Sequence, residues 1–131
     1  MSETSSRVIP MSYMGIPFSQ DPTGSRAAIL GIPFDCGTHP TRIGARQGPD
    51  AIRTQSSLVR PYYPPDFDFN PLELLNLVDC GNVACVAGEV ESAMTTIESA
   101  VSEICQAGVV PVTMGGDGLV SLPQLRALSK V

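Results

Sequence analysis

Apolar positions along the chain change period several times, and each change predicts an element. Ala27-Ala28-Ile29-Leu30-Gly31-Ile32 is a short, almost unbroken apolar run, the pattern of a strand covered on both faces. After the loop Pro33-Phe34-Asp35-Cys36-Gly37, Pro49 and Asp50 mark a helix start, because proline suits the first turn and an acid complements the positive dipole end. The helix is predicted over Pro49 to about Leu58. Leu74-Leu75-Asn76-Leu77-Val78-Asp79-Cys80-Gly81 is predicted as the second strand. From Glu89 to Ala107 the apolar residues Val90, Ala93, Met94, Ile97, Ala100, Val101 and Ile104 recur at three and four positions. That is one stripe of a helix, and Gly108 ends it. Val109 to Met114 is a third apolar run. It breaks at Gly115-Gly116-Asp117-Gly118 and resumes with helical spacing at Leu119, Val120, Leu122, Leu125 and Leu128.

Strand, helix and strand at this spacing make a βαβ unit, so the expected class is α/β with a mostly parallel sheet of about three strands. Two segments stand outside the pattern. Residues 1–26 are expected to form an N-terminal arm or tail, carrying the unperiodic bulk of Met14, Ile16 and Phe18. Such an arm lies on the surface or packs on a neighbouring subunit. Arg60–Pro71, RPYYPPDFDFNP, is too rich in proline for regular structure and is predicted as a long surface loop.

Composition narrows the class without naming a function. A length of 131 residues is about one domain. A net charge of -5 and the lack of any Lys/Arg cluster argue against nucleic acid or an anionic membrane as partner. No stretch approaches the ~20 apolar residues of a membrane span. The polar start MSETSSRVIP is no secretory signal, so a cytoplasmic protein is expected. Cys36, Cys80, Cys85 and Cys105 form no C-x-x-C pair and lie in or beside apolar runs; they are expected to be reduced, buried thiols.

Candidate chemistry concentrates in the glycine turn. Backbone N–H groups of Gly115–Gly118, at the start of a helix, could receive an anion or border a metal site, or simply make a tight strand-to-helix turn. The turn is not a phosphate-binding P-loop, since no Gly-Lys-Ser/Thr follows, and Ser121 breaks the dinucleotide pattern G-x-G-x-x-G. The single histidine, His39, has no second His or Cys nearby and is expected to be solvated.

The residues Gly31-Ile-Pro-Phe-Asp35, Gly37-Thr38, Arg42-Ile-Gly44-Ala45-Arg46-Gln-Gly48-Pro49 and Ala51-Ile52-Arg53 resemble the N-terminal part of agmatinases and guanidinobutyrase-like enzymes of the ureohydrolase (arginase) superfamily. Val112-Thr113-Met114-Gly115-Gly116-Asp117 is similar to that family's G-G-D-H motif, and Ile43 stands where proline is common. The resemblance implies a three-layer α/β/α fold, here incomplete, with residues 27–131 as the N-terminal portion of the domain. It also implies a binuclear manganese centre, whose metal-bound hydroxide attacks the carbon of a guanidino substrate and releases urea and an amine. Paired ions acidify a shared water and hold the tetrahedral centre in such sites.

Two departures set the expectations for this chain. Gly118 stands where the family has its first metal-ligand histidine, and no D-A-H-x-D or D-x-D ligand segment follows. Asp117 matches a position that supports the site. Asp66 and Asp68 precede the motif and take no ligand role. No catalytic, cofactor-binding or metal-ligating residue is therefore assigned, and the chain as written is expected to be inactive, as a truncated hydrolase. The alternative is a non-catalytic ureohydrolase-like module that binds a homologous subunit or another partner. A third reading makes the glycine turn a small nucleotide or anion site.

Overall fold

The computed structural model describes residues 11–59, 68–86 and 88–131. Its frame is a three-stranded parallel sheet of β1 (Ala27–Gly31), β2 (Val78–Asn82) and β3 (Val110–Met114), in the order β2-β1-β3. Helix α1 spans Gly48–Ser56 and α2 spans Pro71–Leu75; both lie between β1 and β2 in the chain. Helix α3 (Val90–Gln106) carries the chain from β2 over to β3, and α4 (Ser121–Leu128) follows the glycine turn.

The central position of β1 explains its composition. All five of its residues are buried. Ala28 and Leu30, with Ile32 and Phe34 beyond the strand, join Ile97, Val101 and Ile104 of α3 and Ala127 of α4 in the main core. Ile29 lies in a separate cluster with Ile16 and Met114. An apolar run without alternation is what a strand covered on both sides requires. The stripe of α3 is buried as its spacing predicts, with Ala93, Met94, Ile97, Val101 and Ile104 in the core and Val90 and Ala100 half-buried. Gly108 adopts φ +73°, the left-handed conformation that stops a helix at little steric cost.

Several sequence-based expectations shift. The second strand begins at Val78, not Leu74, because Leu74 and Leu75 belong to α2. Asn70 caps that helix by accepting from the Leu72 N–H at 3.0 Å, Pro71 occupies its first turn, and Asn76 ends it at φ 46°. The proline-rich loop therefore stops before Pro71; residues 60–67 lie outside the described residues. In α4, where the spacing did predict a helix, the residues divide between core and surface. Pro123 and Ala127 turn inward, while Leu122, Leu125 and Leu128 are exposed, because α4 packs on α3 through its small-residue side.

The four cysteines are free, but only Cys105 is buried. Cys80 lies on β2 at the sheet edge and Cys85 just beyond it, where neighbours cover one side only; Cys36 sits in the loop after β1. The segment before β1 is irregular but tied down. Ile16 is buried, Phe18 bridges to Asp79 alongside β2, and the Tyr13 N–H donates to the Asp79 carboxylate at 2.9 Å.

Beneath that lead-in lies a buried ion pair. Arg53 of α1 donates to both Asp79 oxygens, from Nε at 2.9 Å and from Nη2 at 2.8 Å. Arg53 also donates to the Gly81 carbonyl and to the Asn82 side chain. Bidentate geometry of this kind is the strong form of the interaction. It fastens α1 to the carboxyl end of β2.

Candidate functional site

Parallel pairing brings the carboxyl ends of β1 and β3 together, with Gly31 opposite Met114. The Ile32 N–H donates to the Met114 carbonyl at 2.8 Å, which extends the pairing into the two loops. The turn after β3 then passes directly beneath the Phe34 carbonyl. A Cβ at Gly116 would lie 1.8 Å from that oxygen, so only glycine permits the approach.

Asp117 fastens the two loops to each other. Its Oδ2 accepts from the Gly37 N–H at 2.7 Å and the Thr38 N–H at 3.0 Å. Its Oδ1 accepts from the Leu119 N–H at 3.0 Å, capping the short 3-10 helix Gly118–Val120. Its own N–H donates to the Phe34 carbonyl at 3.1 Å. The Asp117 carboxylate is thus committed to N–H groups of the loop after β1 and of the helix start that follows the turn. Asp117→Ala removes an N-cap and unties two loop N–H groups, and is expected to cost about 1–2 kcal/mol in urea unfolding. Asp117→Asn, keeping one oxygen acceptor, is expected to cost less; equal losses would contradict the assigned bonds.

Asp35 is committed elsewhere. Arg46 donates to both its oxygens, with Nη2 to Oδ1 at 2.6 Å and Nε to Oδ2 at 2.9 Å, and Oδ2 also accepts from the Gly44 and Arg46 N–H groups. The Arg46 guanidinium, aided by those N–H groups, overcomes burial and holds the Asp35 carboxyl well below the usual carboxylate range. Burial, followed by the neighbouring Asp35 carboxylate, pushes the Cys36 thiol up, so the thiolate needed for nucleophilic attack is disfavoured. His39 is exposed and its Nδ1 lies 3.2 Å from the Thr41 hydroxyl. Asp68 is exposed, and Asp66 lies outside the described residues.

Position 118 is open. It is exposed, and a Cβ there would meet only Thr38 Oγ1, at 3.7 Å, an ordinary contact. The turn could carry a larger residue without strain. As glycine it offers no donor to a metal. Among the described residues, no group of three or more His, Cys, Asp or Glu side chains could hold an ion. Asp35 and Asp117, the carboxylates nearest the turn, have all their oxygens engaged by N–H donors. These residues do not fit a manganese pair, and no catalytic step is derived through one.

The pattern that built this turn is shared by a family. The arginase family model matches residues 25–131. The chain belongs to the arginase family. Among its relatives, a guanidinobutyrase of Pseudomonas aeruginosa is 38% identical over 122 residues, covering 91% of this chain and 38% of the enzyme. The proclavaminate amidino hydrolase of Streptomyces clavuligerus superposes with a TM-score of 0.83 at 30% identity, over 95% of this chain and 40% of that one. A Trypanosoma cruzi formiminoglutamase solved with Mn2+ gives a TM-score of 0.72 at 26% identity, over 90% of this chain and 40% of that one. The chain thus spans about two-fifths of the length of the relatives it matches. Its sheet corresponds to part of the arginase-like α/β architecture. No helix among the described residues is long and apolar enough to cross a membrane.

What the motif did not disclose is how its residues are used. Arg46 and Arg53 were recognisable only as matches to the family pattern; the structure makes both of them partners of buried carboxylates, Asp35 and Asp79. The sequence carried a weak signal for the second pair, an acid at the end of a strand in an otherwise apolar run.

Proposed function

We propose that this chain is the N-terminal portion of a cytoplasmic hydrolase that cleaves the C–N bond of a guanidino compound to give urea and an amine, and that residues 1–131 alone do not carry out the reaction. The arginase-family match and the guanidinobutyrase likeness support the reaction class. The observation that carries the second part is position 118, where a glycine faces solvent at the point the family motif fills with histidine. Asp117 then acts as a positioning residue that holds the loop after β1 against the turn after β3.

The test is urea release by the 131-residue polypeptide with manganese, using agmatine and guanidinobutyrate as substrates. No release above the metal-only background is expected. Gly118→His is expected to fold normally, since the site has room for a side chain, and to remain inactive because one imidazole does not make a two-ion site. Manganese-dependent urea formation by either polypeptide would contradict the proposal.

A second reading, a non-catalytic module that joins a homologous subunit, draws on a separate feature. The edge strand β3 carries the exposed Val110 and Val112 on one face, and the exposed leucines of α4 follow it in the chain. Exposed strand edges and apolar surface of this kind favour association. Co-purification of the polypeptide with a longer arginase-family chain would support this reading, and a strictly monomeric polypeptide would count against it.

A further inference from the structure

The sheet has two outer strands, β2 and β3, and their free edges are finished differently. The edge of β2 is covered by the chain's own lead-in, which pairs with Asp79 in the parallel sense. The Asp79 N–H donates to the Pro17 carbonyl at 2.9 Å, and the Asp79 carbonyl accepts from the Ser19 N–H at 3.0 Å. At Gly81, the N–H donates to Asp79 Oδ1 at 2.9 Å and the carbonyl accepts from Arg53 Nη2 at 3.0 Å. Both backbone groups of Asp79 and of Gly81 are thus engaged. β3 differs. Among the described residues it pairs with β1 alone, and its Val110 and Val112 are exposed.

The covering segment is held at both ends against its own strain. Met14 sits at φ 48°, a left-handed conformation that disfavours any residue with a Cβ. It is kept there because the Tyr13 N–H donates to Asp79 Oδ2 and the Met14 N–H to Ser56 Oγ, each at 2.9 Å. Ile16 is buried in the cluster of Ile29 and Met114. Towards β1 the chain turns at Asp21–Ser25, where the Thr23 N–H donates to Asp21 Oδ1 and the Ser25 N–H to the Pro22 carbonyl, each at 3.0 Å. A braced turn returns the segment to its own β2 and disfavours its exchange with another chain.

We propose that Tyr13–Ser19 is a strap that closes an edge which, once freed, docks the β3 edge of a second copy of this chain. The inference rests on the fold and goes beyond both readings above. An unpaired strand edge is a template for another strand. A β2 edge beside the β3 edge of the next copy would continue the parallel sheet from chain to chain. Such a contact joins two different surfaces and need not close, so it grows without limit. Two β3 edges, in contrast, use one surface twice and stop at a dimer. Growth beyond two therefore needs a free β2 edge, and the strap withholds it.

Amide hydrogen exchange and sedimentation velocity of the 131-residue chain test the strap together. The Asp79 N–H reports the strap, and the Val83 N–H, which donates to the Gly31 carbonyl of β1 at 2.8 Å, reports the sheet. In the unaltered chain both amides are expected to be protected, with no species larger than a dimer. Ser19→Pro removes one donor of the strap, and Ile16→Ser removes its buried anchor while keeping every backbone donor. Each is expected to speed exchange at Asp79 about fivefold or more, to leave Val83 unchanged, and to produce species that grow with concentration. Adding Val112→Lys, which charges the β3 half of the contact, should return either variant to dimers or monomers. Four results would overturn the proposal: an unprotected Asp79 amide or large species in the unaltered chain, faster Asp79 exchange without larger species, large species that survive Val112→Lys, or equal acceleration of Asp79 and Val83 in both variants. The last would mean that the strap does not open separately from the fold.

Discussion

Gly116→Ala is expected to remove a large part of the chain's stability. The new Cβ would lie 1.8 Å from the Phe34 carbonyl oxygen, 2.8 Å from its carbon and 3.0 Å from the Ile32 oxygen. All three are backbone atoms, so no side-chain rotation relieves the clash. Withdrawing the turn would break the Asp117 N–H bond to Phe34 and draw the Asp117 carboxylate away from Gly37 and Thr38. Phe34 cannot yield either, since it is fully buried in the main core. Overpacking alone costs about 1–3 kcal/mol, and with the lost bonds the total should reach about 4 kcal/mol or more. That is a large part of the 5–15 kcal/mol that typically holds a domain together. Urea unfolding compared with Gly118→Ala isolates the effect, because a Cβ at 118 meets only an ordinary contact. Two variants of equal stability would show that the close approach is not real.

Arg53→Ala is the second large effect. It would leave Asp79, fully buried, without its bidentate partner, and removing one member of such a pair costs about 3–5 kcal/mol. Burial opposes ionisation of Asp79, but Arg53 and the N–H groups of Tyr13 and Gly81 outweigh it, and the carboxyl titrates below its ordinary value. Asp35 is lowered in the same direction by Arg46. A carboxylate whose folded pKa lies below the unfolded value of about 3.9 contributes stability that is complete above that value. The contribution is lost as pH falls through the folded pKa. The urea midpoint of the unaltered chain should therefore hold steady from about pH 7 to 5 and decline below about pH 4. In Arg53→Ala the unpaired Asp79 should titrate above its ordinary value, so mild acid relieves the variant before it harms it. A parallel pH profile for the two proteins would contradict the pairing.

The two outer parallel strands of the sequence pattern differ in how legible they were, and the difference is physical. β1 and β3 are short apolar runs ended by turn residues, and α3 is a long amphipathic helix; local pattern suffices for each. Leu74-Leu75-Asn76-Leu77-Val78 is ambiguous by periodicity, since a short apolar run suits helix and strand alike. Asn70-Pro71 held the missing signal, a capping side chain followed by the residue favoured in a first helical turn. The spacing of the α4 leucines identified the helix, but helical spacing does not say which stripe its neighbour needs. The family motif was legible in Gly31–Arg53 and in the glycine turn. The tasks of its charged residues were not, because Arg53 meets Asp79 across 26 positions and Asp117 meets Gly37 across 80. Only the parallel register of β1 with β2 and β3 brings those partners together.

The turn after β3 is a structural fastening, with Asp117 committed to backbone N–H groups and no side chain at Gly118 to offer a metal. Calorimetric titration of the 131-residue polypeptide with Mn2+ at neutral pH tests this most directly, with Gly118→His measured alongside. No saturable binding by either protein is expected. Stoichiometric uptake of manganese by the unaltered chain would contradict it, and would mean that the carboxylates of Asp35 or Asp117 leave their N–H partners to serve as ligands.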